Sequence, residues 1–77
     1  MGQVGQNLIG PRVKEARTKA QLTQIELSKK LAKLSVPIDR AGVAKIEGGI
    51  RGVLDFELVA LAKTLNVKIT WLLGVKE

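Results

Sequence analysis

A short basic segment, SVPIDRAGVAKIEGG from Ser35 to Gly49, contains the residue types best suited to bind an anionic polymer. Its apolar positions are spaced like one edge of a helix, and the opposite face is small, basic and free of acidic side chains. Four residues form this face: Arg40, Ala41, Ala44 and Lys45. An arginine can donate two hydrogen bonds to O6 and N7 of guanine, a lysine suits a phosphate, and alanines permit close approach. This chemistry is that of a helix able to lie in the major groove of DNA.

Catalytic and metal chemistry, by contrast, have few candidate residues. The 77-residue chain contains no histidine and no cysteine, so it lacks imidazole bases, thiolate nucleophiles and disulfides. A nucleophile would have to be Ser28 or Ser35. The carboxylates of Asp39, Glu47 and Asp55 have no spacing that pairs them along a helix. We therefore expect no enzymatic activity, no metal site and no cofactor.

The overall charge favours an anionic partner. The chain has 13 lysines and arginines against seven acidic residues, a formal net charge of +6 and a sequence pI near 10.1. This balance is typical of nucleic-acid binding, and charge alone is equally compatible with a basic protein that binds nothing anionic. No apolar run approaches the ~18 residues of a membrane span, and the N-terminus lacks a signal-peptide pattern. We expect a cytoplasmic, nucleoid-associated protein with no membrane contact and no small-molecule substrate.

The elements that position the basic face are predicted to be helices of one small domain. Residues 1–6 should form a flexible tail, and residues 7–77 a single domain. Apolar residues recur at helical spacing, and no alternating pattern is long enough for a useful strand. Glycine, proline and capping residues divide this pattern into five segments. The sequence therefore predicts an all-α, compact five-helix bundle.

Helices 2 and 3 are predicted to meet at the turn that precedes the basic face. The sequence TQIE at Thr23–Glu26 predicts a capping box for helix 2, which Pro37 must end. Asp39 is a favoured N-cap for helix 3, and Gly48-Gly49 can end that helix through a left-handed residue. Two helices joined in this way indicate a helix-turn-helix, whose second helix lies in the groove of DNA.

Three motifs in order carry a resemblance to a known family. They are LTQ at Leu22–Gln24, KIEGG at Lys45–Gly49, and LVALAKTLNV followed by WLLG. Together they resemble the lambda-repressor-like, Cro/C1-type (XRE) family of helix-turn-helix DNA-binding proteins, from about Ile9 to Gly74. The resemblance implies a five-helix fold, sequence-specific binding of double-stranded DNA and no enzymatic activity. It also implies a homodimer that acts on transcription in bacteria or phage.

The resemblance further implies roles for individual residues. Gln24, beside the Thr23 cap, matches a glutamine that hydrogen-bonds a DNA phosphate, and the start of a helix favours anions in any case. Lys45 and Arg51 also match phosphate-contacting positions. The implied base contacts are Arg40, Ala41 and Ala44. The alternatives are that Thr23 and Gln24 only cap a helix, that Arg40 is solvated or paired with Asp39, and that Arg51 is a solvated loop charge.

Arg17 and Glu47 match two positions that commonly form a partly buried ion pair in this family. Such a pair would direct Glu47 away from DNA and would make both residues structural. The sequence also departs from the family pattern: the connection between Leu31 and Lys45 is about one helical turn longer than usual. In addition, Gln21 occupies a position where many members have a helix-ending glycine, and a left-handed glutamine there would cost ~1 kcal/mol.

The leading interpretation is a transcriptional regulator, most simply a repressor that binds a pseudo-palindromic operator as a dimer. The candidate dimer surface is the segment Trp71–Leu73, with core packing of Trp71 as the alternative. A second interpretation is an antitoxin-like or partner-docking module that uses the same fold. An exposed apolar patch around Ile50, Val53 and Leu54 would favour this second interpretation.

Overall fold

A computed structural model of the chain describes residues 7–75; the predicted tail at residues 1–6 lies outside this range. All regular secondary structure within it is α-helical. The five helices are α1 (Gly10–Lys19), α2 (Gln24–Lys33), α3 (Arg40–Glu47), α4 (Asp55–Leu65) and α5 (Ile69–Leu73). The prediction of an all-α, five-helix bundle is confirmed. None of these helices has the length and apolar character needed to cross a membrane.

The helices enclose one aliphatic core. Helix α3 packs against α1 and α2, and α4 packs against α1, α2 and α5. The fully buried side chains come from all five helices: Val13, Leu27, Leu31, Val43, Ile46, Leu61 and Leu72. Each helix contributes an apolar edge to this core, so the orientation of α3 is fixed by burial of Val43 and Ile46.

Local capping chemistry sets the starts of α2 and α3. The backbone N–H of Glu26 donates to Thr23 Oγ1 at 3.0 Å, and the N–H of Thr23 donates to Glu26 Oε1 at 2.8 Å. The N–H of Gly42 donates to Asp39 Oδ1 at 2.7 Å. The predicted capping box and the predicted Asp39 cap are therefore both confirmed, because each depends on residues only three positions apart.

The connection between α2 and α3 contributes to the core. Ser35 has a left-handed backbone with φ 63°, and the chain beyond it directs Val36 and Ile38 inward. Leu34 follows the buried Leu27 and Leu31 at helical spacing, but it is half-exposed because α2 ends at Lys33. The longer connection thus inserts two aliphatic side chains beneath the turn.

Left-handed residues follow α1 and α4, and a glutamate side chain caps the start of α4. Gln21 is left-handed with φ 60°, and Asn66 ends α4 in the same conformation with φ 56°. Helix α4 begins at Asp55, so Leu54 occupies the N-cap position without a side chain that could accept a hydrogen bond. The Glu57 carboxylate accepts from the Leu54 N–H at 2.9 Å, which supplies half of a capping box.

Candidate nucleic-acid interface

The outward face of α3 contains the residues that the sequence singled out. Arg40, Ala41 and Lys45 are exposed, and Ala44 is half-buried at the edge of the same face. Since Val43 and Ile46 are buried on the other side, this face is the part of α3 available to a ligand. It presents two cations and two methyl groups, and no carboxylate lies on it.

The starts of α2 and α3 lie next to each other. Arg40 Nη1 donates to Gln24 Oε1 at 3.3 Å, which joins the first residues of the two helices. The same Gln24 side chain donates through Nε2 to Glu47 Oε1 at 3.1 Å. Gln24 is therefore oriented by Glu47 and in turn contacts the guanidinium of Arg40, a connection that sequence reasoning did not include.

Glu47 is turned away from the outward face of α3. Its carboxylate accepts from Arg17 Nε and from Arg17 Nη2, the latter at 3.1 Å, and only 4% of the Glu47 side chain is exposed. Arg17 also donates to the Leu22 carbonyl at 2.8 Å, so one guanidinium bridges α1, the α1–α2 turn and α3. The hydrogen bond with Glu47 raises the pKa of Arg17. This geometry keeps the only acidic residue of α3 from opposing an anion bound to the helix face.

The Arg51 side chain forms an ion pair with Glu57 of α4. Its Nη1 and Nη2 donate to the two carboxylate oxygens of Glu57, each at 3.0 Å, and Nη1 also donates to the Gly52 carbonyl. This bidentate hydrogen bonding lowers the pKa of Glu57 and raises that of Arg51. The pair fixes the loop between α3 and α4, so the predicted phosphate contact would have to come from a guanidinium that already donates to Glu57.

Two glycines permit the close packing that positions α3. A Cβ on Gly10 would lie 2.5 Å from the Ile46 carbonyl oxygen and 2.8 Å from that of Glu47, so α1 begins directly against the end of α3. A Cβ on Gly42 would lie 2.8 Å from Ile38 Cγ2. The absence of a side chain at Gly42 thus makes room for Ile38, the buried turn residue that precedes α3.

Asn7 secures the same junction from the N-terminal side. Its Oδ1 accepts from the backbone N–H of Ile9 and of Gly10, at 3.0 and 2.8 Å. Its Nδ2 donates to the carbonyls of Ile46 and Arg51, at 3.1 and 2.8 Å. Asn7 therefore both caps α1 and satisfies a carbonyl at the end of α3. Neither function of Asn7 was predicted from the sequence.

The start of α2 adds hydrogen-bond donors beside the α3 face. The Thr23 hydroxyl oxygen accepts from Glu26, which leaves its proton able to donate to a phosphate. The first backbone N–H groups of a helix also favour an anion. Among residues 7–75 no group of three or more histidine, cysteine, aspartate or glutamate side chains is placed to hold a metal ion.

The helix-turn-helix family model HTH_3 matches residues 13–72 of the chain. This span begins within α1 and ends within α5, so it contains the whole of α2, α3 and α4. No curated protein matches the chain.

Proposed function

The chain belongs to the Cro/C1-type helix-turn-helix (XRE) family of DNA-binding regulators, and we propose that it is a cytoplasmic repressor that binds a pseudo-palindromic operator as a homodimer. The observation that supports this most directly is the outward face of α3. It combines exposed Arg40 and Lys45 with small alanines, while Glu47 is turned into the protein. A helix with this face can approach base edges closely and meets no repulsion from its own carboxylate.

In this proposal, Arg40 reads a base and other groups set the register. The guanidinium of Arg40 donates to O6 and N7 of a guanine. To do so, it either breaks its hydrogen bond to Gln24 or keeps that bond while its other N–H groups bind the base. Ala41 and Ala44 lie against base edges or a thymine methyl. The groups proposed to contact phosphates are Thr23, Gln24 and Lys45.

Arg51 has a different part in the proposal from the one that the sequence suggested. Both of its terminal nitrogens already donate to Glu57, so a direct phosphate contact would have to compete with a bidentate ion pair. We assign Arg51 to holding the loop after α3, where its charge adds to the general attraction of DNA.

A dimer surface is proposed at the exposed apolar side chains near α5. Trp71 packs against the core with the Arg12 guanidinium 5.2 Å from its ring centroid, so it is not the exposed anchor. Leu73 is exposed and lies in a hollow that it shares with Leu8 and Val53. Burial of these side chains against a second copy would place two α3 helices on one DNA duplex.

A second candidate function is partner docking without a specific operator, as in an antitoxin-like module. The exposed Ile50 and Leu54 in the loop after α3 favour it, because apolar residues grouped on a surface are typical of protein interfaces. The two functions differ in whether a DNA sequence is enriched.

Selection from a library of random duplexes at several salt concentrations separates these functions. A repressor should enrich a two-fold symmetric sequence, with half-sites one helical turn apart, and should lose affinity steeply with salt. Binding without an enriched sequence would contradict the operator proposal.

Three variants assign the contacts. Arg40→Ala should relax one position in each half-site, with a loss of ~1–3 kcal/mol against the preferred base. Lys45→Ala should weaken all sequences alike. Lys63→Ala, on the side of the protein away from α3, is the matched control and should change affinity least. If Lys63→Ala weakens binding as much as Lys45→Ala, α3 is not the DNA-contacting helix.

A further inference from the structure

A groove between α2 and α4 is the exposed feature that DNA binding leaves unexplained. Two shallow hollows of about 300 Å³ each adjoin there and share Leu34 and Lys63. We call this surface the α2–α4 groove and define it by six residues: Lys30, Lys33, Leu34, Phe56, Val59 and Lys63. It extends across the end of α2 and along α4 from its first turn at Phe56 to its third turn at Lys63.

The groove lies on the opposite flank of α2 from α3. Ser28 and Ala32 mark the α3 side, since Ser28 donates to the Ile38 carbonyl at 2.7 Å and both residues line a hollow with Gly42. Lys30 and Leu34 project from the other flank, towards α4. A ligand in the α2–α4 groove would therefore leave the outward face of α3 accessible.

The centre of the groove is apolar. Leu34, Phe56 and Val59 are 48%, 53% and 40% exposed, although each is a large aliphatic or aromatic side chain. Below them lie the buried Val36 and Ala60. Isolated apolar side chains are common on protein surfaces, but three that line one hollow above a buried apolar floor are characteristic of a binding site for another apolar group.

The rim of the groove is positive. Lys30, Lys33 and Lys63 line it, and no carboxylate does. None of the ion pairs among residues 7–75 includes these lysines: the acidic partners in those pairs contact Arg17, Lys19 and Arg51 instead. The Glu26 carboxylate interacts electrostatically with Lys30, but it lines neither hollow and accepts a hydrogen bond from the Thr23 N–H. The three lysines therefore leave the rim with a net positive charge. An apolar centre with such a rim complements a ligand that has apolar anchors and negative charges around them.

We propose that the α2–α4 groove binds an acidic protein segment that inserts at least one large apolar side chain between Leu34 and Phe56. A second copy of this chain fits poorly, because it carries the same net charge of +6 and holds Glu47 and Glu57 in ion pairs with its own arginines. DNA would match the lysines but would leave the apolar centre exposed to water. An acidic segment with apolar anchors satisfies both, and it could bind while α3 is on DNA.

The test uses the full chain and a synthetic probe. The probe is an amphipathic peptide of about 16 residues, with leucine and phenylalanine on one helical face and glutamate and aspartate on the other. Two matched peptides replace either the apolar residues by serine or the acidic residues by lysine. Amide chemical shifts of the ¹⁵N-labelled protein report the site, and a titration gives the dissociation constant. We expect shifts concentrated in residues 30–36 and 56–63, and no saturable binding of either matched peptide.

Variants on both parts of the groove sharpen the test. Phe56→Ala should weaken the probe about 10-fold, since a central aromatic anchor dominates such interfaces. Lys30→Glu with Lys63→Glu should weaken it about 10-fold at low salt and less at high salt. The matched controls are Ile25→Ala and Lys29→Glu, which alter exposed residues of α2 that line neither hollow and should leave affinity unchanged. Because the lysines are exposed, the charge variants test the proposal even if Phe56→Ala fails to fold.

Four results would overturn the proposal. The first is absence of probe binding at millimolar concentration, and the second is equal binding of the serine-substituted peptide, which would show charge attraction alone. The third is binding of the protein to vesicles of anionic phospholipid but not to the probe. If Phe56→Ala then weakens vesicle binding, the surface is a membrane contact. The fourth is a dimer in sedimentation that Phe56→Ala dissociates, which would assign the groove to a second copy of the chain.

Discussion

Replacement of Glu47 by glutamine tests whether the inward ion pair is structural. The Glu47 carboxylate accepts three hydrogen bonds, two from Arg17 and one from Gln24, and is 4% exposed beside an Arg17 side chain that is 13% exposed. Glutamine has the same shape but no charge, and its amide nitrogen must face one of these donors. The variant therefore loses the ion pair and gains a donor-to-donor contact inside the protein.

The size of the effect follows from this burial. Breaking one partner of a buried ion pair costs ~3–5 kcal/mol, and the slight exposure of Arg17 places Glu47→Gln near the lower end, at about 3 kcal/mol. In a domain of this length, 1 kcal/mol corresponds to a shift in Tm of roughly 4–8 °C. We expect Tm to fall by about 12–24 °C in thermal melts followed by circular dichroism, with a matching loss in urea unfolding.

The matched control is Glu15→Gln. Glu15 pairs with Lys19 at 3.3 Å on the surface of α1, where the side chains are 50% and 75% exposed. Such a pair contributes less than ~0.5 kcal/mol. If Glu47→Gln is no more destabilising than Glu15→Gln, the structural assignment of Glu47 is wrong.

Binding measurements on Glu47→Gln extend the same test. At a temperature where the variant is folded, its base preference should match that of the wild type, because Arg40 is unchanged. Overall affinity should decrease, since the carboxylate that orients Gln24 is replaced by an uncharged amide, which is a weaker acceptor. A changed base preference in the folded variant would mean that Glu47 takes part in recognition.

Three further predictions concern stability. Gln21→Gly should raise the free energy of unfolding by ~0.5–1 kcal/mol in urea titrations, because it relieves a left-handed backbone at φ 60°. Gly10→Ala should cost at least ~2 kcal/mol in the same assay, since its Cβ would meet carbonyl oxygens of α3, whereas Gly52→Ala, with nothing within 4 Å, should cost little. Acid should destabilise the protein through Glu57, because the hydrogen bonds from Arg51 lower the pKa of this carboxyl below its value in the unfolded chain. The stabilisation by Glu57 is therefore present above the unfolded pKa and is lost as the pH falls through the folded pKa. Glu57→Gln should flatten that part of the pH profile.

The helices and their caps were predictable because their causes are local. Thr23 with Glu26, and Asp39 with the Gly42 amide, act over three residues of chain, so the sequence contains the whole interaction. Leu34 shows the limit of local spacing: it follows Leu27 and Leu31 at the interval of a buried helical edge, yet it is exposed because α2 ends at Lys33 and the chain becomes left-handed at Ser35.

The site was less predictable where charged residues meet across the fold. The outward face of α3 follows from helical spacing alone. The contact between Arg51 and Glu57, however, depends on how the loop folds back onto α4, and the Gln24–Glu47 contact joins residues 23 positions apart. The sequence does give a signal for an inward role of Glu57, because it stands three residues after Leu54, an N-cap residue whose side chain cannot accept a hydrogen bond. No pattern in the sequence indicates the Gln24–Glu47 contact.

Arg17, Arg40 and Arg51 differ in the free energy that their release from present partners would cost, and this difference supports the proposal that Arg40 is the one that recognises a base. Arg17 and Arg51 each donate to a carboxylate, and removing either one would strand that charge in a largely buried site. Arg40 donates only to the neutral amide of Gln24, at 3.3 Å on the surface. A weak, solvated hydrogen bond of this kind costs little to exchange for two strong ones to guanine. The same Gln24 contact holds Arg40 near the start of α3 before DNA arrives, which reduces the entropy lost on binding.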